Sequence, residues 1–142
     1  LRLLLKEIKK NEDKTIIIER SIYTDKYVFA KMLYEKKFIN EIEWKSYNHW
    51  FDTFKDETKL DTIIWVNTKP EICYERVKKR NRKAEETLSL DYLNSCHLKH
   101  LEWIESNNDN VKIIIFDGNK EFEDNENLLE KMLLNNQKIL NL

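Results

Sequence analysis

One glycine, one proline and two cysteines are all that this 142-residue chain contains of the residues that punctuate or cross-link a fold. So few breakers leave long regular elements and few tight turns, which argues against β-sandwiches, β-repeats and collagen-like designs. Cys73 and Cys96 form no CxxC pair and no disulfide framework, as expected of a protein in a reducing, intracellular setting. Charge of one sign is missing too. The formal net charge is −1 with 36% charged residues, so no global field favours nucleic acid or a membrane surface. No long hydrophobic run occurs: the opening LRLLLKEIKK is broken by Arg2 and Lys6, and reads as neither signal peptide nor membrane span. With a single glycine the phosphate-cradling pattern GxxxxGK[ST] is impossible within these residues. The chain also lacks an initiator methionine and opens inside an apparent helix, so it reads as starting partway through a domain.

What is present is apolar and periodic. Apolar residues make up 41% of the chain, with four Trp, six Tyr and six Phe, enough for one domain over 1–142 with a real core. No internal repeat or linker-like shift divides it. Residues 15–19 (TIIIE) read as a buried strand, and a helix follows with Thr24 as its expected N-cap. A second helix follows Asn40 and carries Ile42, Trp44, Tyr47, Trp50, Phe51 and Phe54, aromatic residues suited to core or interface packing. Residues 62–66 (TIIWV) form the next strand, and Thr68-Lys69-Pro70 reads as a cap with proline in the first helical turn. A helix from Ser89 to about Ser106, the strand VKIIIF, a turn at Asp117-Gly118-Asn119 and a closing helix complete the chain.

Continuous apolar strands alternating with helices predict an α/β fold: a three-layer, open parallel sheet with helices on both faces. Ligands of such sheets bind beyond the carboxyl ends of the strands. Those ends are Glu19-Arg20-Ser21, Asn67-Thr68 and Asp117-Gly118-Asn119.

At the first end, Glu19 and Arg20 are either a strand-end salt pair or an acid for a metal or hydroxyl beside a fixed cation. Asp25, one turn on, is most simply an acid complementing a helix dipole. The stretch RVKKRNRKAEE gathers Arg76, Arg80 and Arg82 without an interleaved acid, the first two as i,i+4 neighbours on one helical face. Spacing alone favours a solvated basic helix end. The alternative is an anion clamp, because planar guanidinium forks suit phosphate oxygens. Nucleic-acid binding is disfavoured, since surrounding acids leave no extended basic stripe. Cys96, His97 and His100 lack a second ligand pair at zinc spacing and read as structural or surface residues.

Three segments in order, IIIERSIYTDKYVFAKMLYE, RNRKAEETLSLDYLNSCHLKHLEWI and the surroundings of FDGNKEF, resemble the deoxyribonucleoside kinases, nearest to those acting on deoxycytidine, deoxyguanosine and deoxyadenosine. The resemblance runs from about residue 15 to 122 and rests on an E-R-S triplet, an R-x-R-x-x-E lid and a following Y-L-x-x-x-H-x-x-H pattern. It implies a P-loop kinase fold that moves the γ-phosphoryl of ATP, with Mg2+, to the 5′-hydroxyl of a deoxynucleoside. Glu19 would then lie near magnesium and substrate, and Arg20 near the 5′-oxygen. Arg76, Arg80 and Arg82 would clamp the triphosphate, an electrostatic task. Glu85, in a lid at about 80–88, would meet the sugar 3′-hydroxyl; Asp25 would face the base; Glu121 and Phe122 would belong to the ATP-base loop. Ala84 departs from an acid that some relatives carry.

The family's P-loop, its general base and its first base-reading residues precede the E-R-S, and are absent from these 142 residues. The resemblance therefore implies the carboxyl-terminal part of a kinase domain, inactive alone, whose complete form pairs as a helix-mediated homodimer. The alternative is a non-catalytic, kinase-like remnant that binds a partner through its helices. A nucleoside monophosphate kinase is disfavoured by the E-R-S and the lid spacing. The expected setting is cytoplasmic, with mitochondrial delivery left open, and neither nucleic acid nor membrane is an expected partner.

Overall fold

Asn40 shows how local chemistry starts an element here. Its Oδ1 accepts hydrogen bonds from the N–H groups of Ile42 (2.9 Å) and Glu43 (3.0 Å), and the Glu43 carboxylate takes the Asn40 N–H in return at 2.7 Å. This capping box opens helix α4 (Glu41–Phe54), the helix expected after Asn40. The computed structural model describes residues 1–11, 13–106 and 111–120. Ahead of α4 come α1 (Arg2–Lys10) and a single rod made of α2 (Ile22–Thr24), a π-helical segment Asp25–Ala30 and α3 (Lys31–Glu35). After it come β1 (Thr62–Asn67), α5 (Pro70–Arg80), α6 (Leu90–Ser106) and β2 (Lys112–Asp117). The closing helix expected after Asn119 lies outside the described residues.

β1 and β2 pair in parallel, Thr62 with Lys112 through Asn67 with Asp117, and α5 and α6 form the connection between them. A parallel pair needs such a crossover. The core lies where the rod, α4 and α6 meet. Ile22, Tyr23, Val28, Phe51 and Trp103 are buried there, and Ile63 of β1 packs against them. The Tyr27 ring stacks on Trp103 at 5.7 Å and Tyr23 meets Phe51 edge-on at 5.2 Å. Each such side chain contributes roughly 1.5–3 kcal/mol by leaving water. Lys99 binds Glu35 (2.6 Å) and Lys31 binds Glu102 (3.0 Å), tying α3 to α6 at the rim.

The structure corrects the sequence reading in several places. Residues 15–18 form no strand and pair with none among the described residues, and Ile17 is 80% exposed. Their β-branched side chains favour a strand, yet a strand exists only as half of a ladder. The rod is capped by Ser21, not Thr24. Ser21 is extended, and its Oγ accepts the Thr24 N–H at 3.4 Å, which places Thr24 inside the helix and buried. At α5 the N-cap is Lys69, which offers no side-chain cap; Pro70 opens the helix, as expected.

Candidate active site

The stretch expected as the end of a first strand is exposed and strained. Glu19 and Arg20 are both exposed, and Arg20 has φ 66°, a left-handed conformation that costs a non-glycine residue roughly 1–2 kcal/mol. Such strain persists only where surroundings hold it, and it collects at functional positions. Here the Arg20 guanidinium lies 5.2 Å from the centre of the Phe29 ring, a cation–π contact. Phe29 belongs to the π-helical segment, a kink type that clusters at functional sites, and so does Asp25. Asp25 is exposed. Burial, and then the charge of Asp25, push the Tyr47 hydroxyl up to about 12. That hydroxyl oxygen is itself buried, with no hydrogen-bond partner among the described residues.

The segment expected as a lid, at about 80–88, begins where α5 ends. Asn81 terminates the helix in the left-handed region (φ 49°), a conformation asparagine tolerates well, and a 3-10 turn at Lys83–Glu85 folds the chain back. The fold-back puts Glu85 between two arginines. Its Oε2 accepts from Arg80 Nε (3.0 Å) and Nη2 (2.5 Å), and its Oε1 lies 3.7 Å from Arg82 Nη1. Sequence spacing leaves Arg80 and Arg82 without an acid; the turn supplies one from three residues on. Both arginines remain largely exposed, so the pairing is worth about 0–1 kcal/mol and can yield to a more highly charged anion.

Arg76 is not part of this group. Although it shares a helical face with Arg80, its Nη1 donates to the carbonyl of Gly118 (2.7 Å) and its Nη2 to those of Lys120 (2.8 Å) and Asn119 (3.4 Å). Asn119 in turn accepts the Lys69 N–H on its Oδ1 at 2.8 Å, and the Gly118 N–H reaches the Asn67 carbonyl at 2.9 Å. Gly118 is required for this closeness, since a Cβ there would sit 2.0 Å from Thr68 Oγ1. The second and third strand ends are thus bound to each other. Glu121 and Phe122 lie outside the described residues.

Helix α6 follows the turn at Lys83–Glu85 and passes near Arg20. Ser89 Oγ accepts the Tyr92 N–H at 3.1 Å and starts that helix. Its Tyr92, Cys96 and His100 all feel the charge of Arg20. His100 bonds the Cys96 carbonyl through Nδ1 at 2.8 Å, and burial, aided by the charges of His97 and Arg20, holds it below its ordinary 6.5. His97 packs against Trp65 of β1 at 6.0 Å. Among the described residues no three His, Cys, Asp or Glu side chains gather into a metal cluster. A lone exposed Glu19 still suits magnesium, which keeps its waters and is held by one or two carboxylates together with phosphate oxygens.

Sequence reasoning did not single out Phe29, gave Tyr47 only a packing role, and named Asn119 only within a strand-end turn. The first two are single members of apolar helical patterns, and nothing in the pattern marks them. Asn119 was legible as a turn residue, but its bond to Lys69 spans 50 positions.

Comparison with known proteins bears on this arrangement. The sequence model for the family described as deoxynucleoside kinase matches residues 2–141. Human deoxycytidine kinase is 37% identical over 139 residues, covering 89% of this chain and 54% of that protein. The mitochondrial deoxyguanosine kinase of Xenopus laevis is 36% identical over 134 residues, covering 86% of this chain and 51% of the relative. This chain therefore spans about half the length of the curated relatives it matches. The solved deoxyadenosine kinase from M. mycoides, with bound dCTP, superposes with a TM-score of 0.71 at 18% identity, over 94% of this chain and 71% of that one. That likeness gives the fold: a P-loop kinase α/β architecture. By the match of nearly its whole length, the chain belongs to the deoxynucleoside kinase family.

Proposed function

We propose that the protein transfers the γ-phosphoryl group of ATP to the 5′-hydroxyl of a deoxyribonucleoside. The observation that carries this reading is the lid: two exposed arginines, 80 and 82, held ready around the single carboxylate of Glu85. Charge spreads over the transferred phosphoryl oxygens in the transition state, and fixed guanidiniums stabilise it without exchanging a proton. On binding, Arg80 and Arg82 turn from Glu85 to the triphosphate, and Glu85 takes the sugar 3′-hydroxyl. Glu19 provides an oxygen for magnesium, which neutralises phosphate charge when bound. Arg20, fixed over Phe29, orients the 5′-oxygen, and Asp25 accepts a hydrogen bond from an exocyclic amine of the base. Glu121 and Phe122 are assigned to the ATP-base loop on resemblance alone.

These 142 residues contain one glycine and no phosphate-cradling loop, so by themselves they are expected to give no turnover. In the complete enzyme we propose a homodimer formed through helices. The exposed Phe38 before α4, and Ile42 and Trp50 on it, offer apolar surface for that contact, and sedimentation velocity would detect it. Both cysteines are free, in keeping with a reducing compartment.

The test is ATP-dependent phosphorylation of all four deoxynucleosides, run on the full-length protein and on the 142 residues alone. Turnover by the first and not the second supports the reading. No turnover by either favours the non-catalytic remnant, and turnover by the short chain overturns the need for a separate phosphate cradle.

A further inference from the structure

The Arg20 backbone is strained, at φ 66°, and strain of this kind persists only where neighbours over-determine it. Its guanidinium meets the Phe29 ring, 5.2 Å from the ring centre. An exposed arginine otherwise samples many rotamers, and fixing one costs up to about 2 kcal/mol. A ring that seats such a side chain must itself be held.

Phe29 is half-buried in the π-helical segment, and His100 of α6 packs against it at 6.4 Å, nearly at right angles (88°). Edge-to-face ring pairs contribute about 0.5–1.5 kcal/mol beyond their burial. His100 is fixed in turn by its own helix, with Nδ1 2.8 Å from the Cys96 carbonyl one turn back. A carbonyl oxygen only accepts, so Nδ1 carries the hydrogen and the neutral ring keeps Nε2 as an acceptor. Burial favours that neutral ring, and so do the charges of His97 on the same helix and Arg20 from the chain ahead of the rod. The support therefore runs from the α6 backbone through His100 and Phe29 to the guanidinium.

We propose that His100 is the positioning residue for Arg20: its imidazole, anchored to α6, fixes the Phe29 ring on which the guanidinium is seated. Sequence spacing marks His100 only as a structural or surface histidine, because its link to Arg20 crosses from α6 to the chain ahead of the rod. The consequence for catalysis rests on the kinase reading above, in which Arg20 orients the 5′-oxygen. There His100 acts through Phe29, not on the substrate. Displacing an orienting group by about 1 Å is enough to slow such a transfer.

The experiment measures kcat and KM in the full-length protein for His100→Ala, His100→Phe, Arg20→Ala and the double variant of His100→Ala with Arg20→Ala. Positioning predicts that His100→Ala lowers kcat about tenfold while the KM for ATP changes by less than about threefold. In the Arg20→Ala background the same change should cost less than about twofold, because the group it seats is gone. Full multiplication of the two losses marks a merely structural histidine and would overturn the inference. His100→Phe keeps a ring against Phe29 and should retain at least about a third of kcat. A loss as large as that of alanine would overturn the seating through the ring. The His100 titration, followed by NMR, reads the same joint without turnover. Removing the Arg20 charge in Arg20→Ala should raise the imidazole pKa by about half a unit. An unchanged value would overturn the inference by itself, even where His100→Ala fails to fold. Absence of turnover in the unmodified protein would instead overturn the kinase reading, leaving the titration to decide the seat.

Discussion

Residues 15–19 and 62–66 are spelled almost alike, TIIIE and TIIWV, and lead to opposite kinds of chain end. The second run pairs with β2 from Thr62 to Asn67, and its end is bound to the turn at Gly118 and Asn119. The first pairs with nothing among the described residues, and it runs into Glu19 and Arg20, exposed and in part left-handed. One end spends its hydrogen-bonding groups on the fold; the other leaves Glu19 and Arg20 exposed. Arg80 and Arg82 are grouped with the open end, because both are exposed and their ion-pair partner among the described residues is Glu85. Changes at the open groups should therefore alter chemistry with the fold intact, and changes at the closed joint should alter the fold first.

The sharpest way to break that division is Arg82→Ala in the full-length enzyme. Loss of one donor to a developing anion costs about 3 kcal/mol, so kcat should fall about a hundredfold. Nucleoside binding and melting temperature should hold, and Arg82→Lys should rescue poorly. Near-normal steady-state turnover would return this residue to a solvated helix end.

At the closed joint, Gly118→Ala should cost about 1–3 kcal/mol of stability by overpacking. The new Cβ would lie 2.0 Å from Thr68 Oγ1 and 2.7 Å from Val66 Cγ1. Denaturant midpoints measure the loss, and adding Thr68→Ala should recover part of it. A midpoint unchanged by Gly118→Ala would show that the joint is loose.

Asp25 sharpens the comparison from the open side. The full-length enzyme should prefer deoxycytidine or deoxyadenosine to thymidine, whose ring carbonyl cannot donate to a carboxylate. Asp25→Ala should shift that ratio of kcat/KM toward thymidine by about tenfold to a hundredfold, the effect of leaving a charged acceptor unpaired. If Asp25 serves only the helix dipole, stability falls by under about 1 kcal/mol and the ratio stays put. A thymidine preference in the unmodified enzyme would sink the assignment.

The smallest effect is expected at Tyr47, whose buried hydroxyl has no partner among the described residues. Tyr47→Phe should be neutral or stabilising by up to about 1 kcal/mol, since it removes an unsatisfied group. The pH dependence follows from the raised hydroxyl, at about 12 in the fold against an ordinary 10.0. Above pH 10 the unfolded chain releases this proton before the folded one, so stability falls as pH climbs toward 12. Urea midpoints at pH 8 and 11 should show that fall in the native protein and less of it in Tyr47→Phe; equal falls would place the hydroxyl in solvent.

Local chemistry was enough to place most helices. Asn40, Pro70 and Ser89 start them through bonds or dihedrals available within a single turn, and β-branched runs flag extended chain wherever they occur. The resemblance of the E-R-S and lid spacings carried the family, because each spacing lies in one short stretch of sequence. What local sequence could not decide was partnership. TIIIE and TIIWV have the same propensity, and only the presence of β2 makes one of them a strand. Arg76 and Arg80 have the same helical spacing to any anion, and only the return of the chain after β2, more than 40 positions on, takes one away. A guanidinium or a strand edge binds whatever the fold brings within about 3 Å. Contacts of that separation are set by packing of the whole chain, so which arginine meets backbone carbonyls and which meets a carboxylate was decided by tertiary structure.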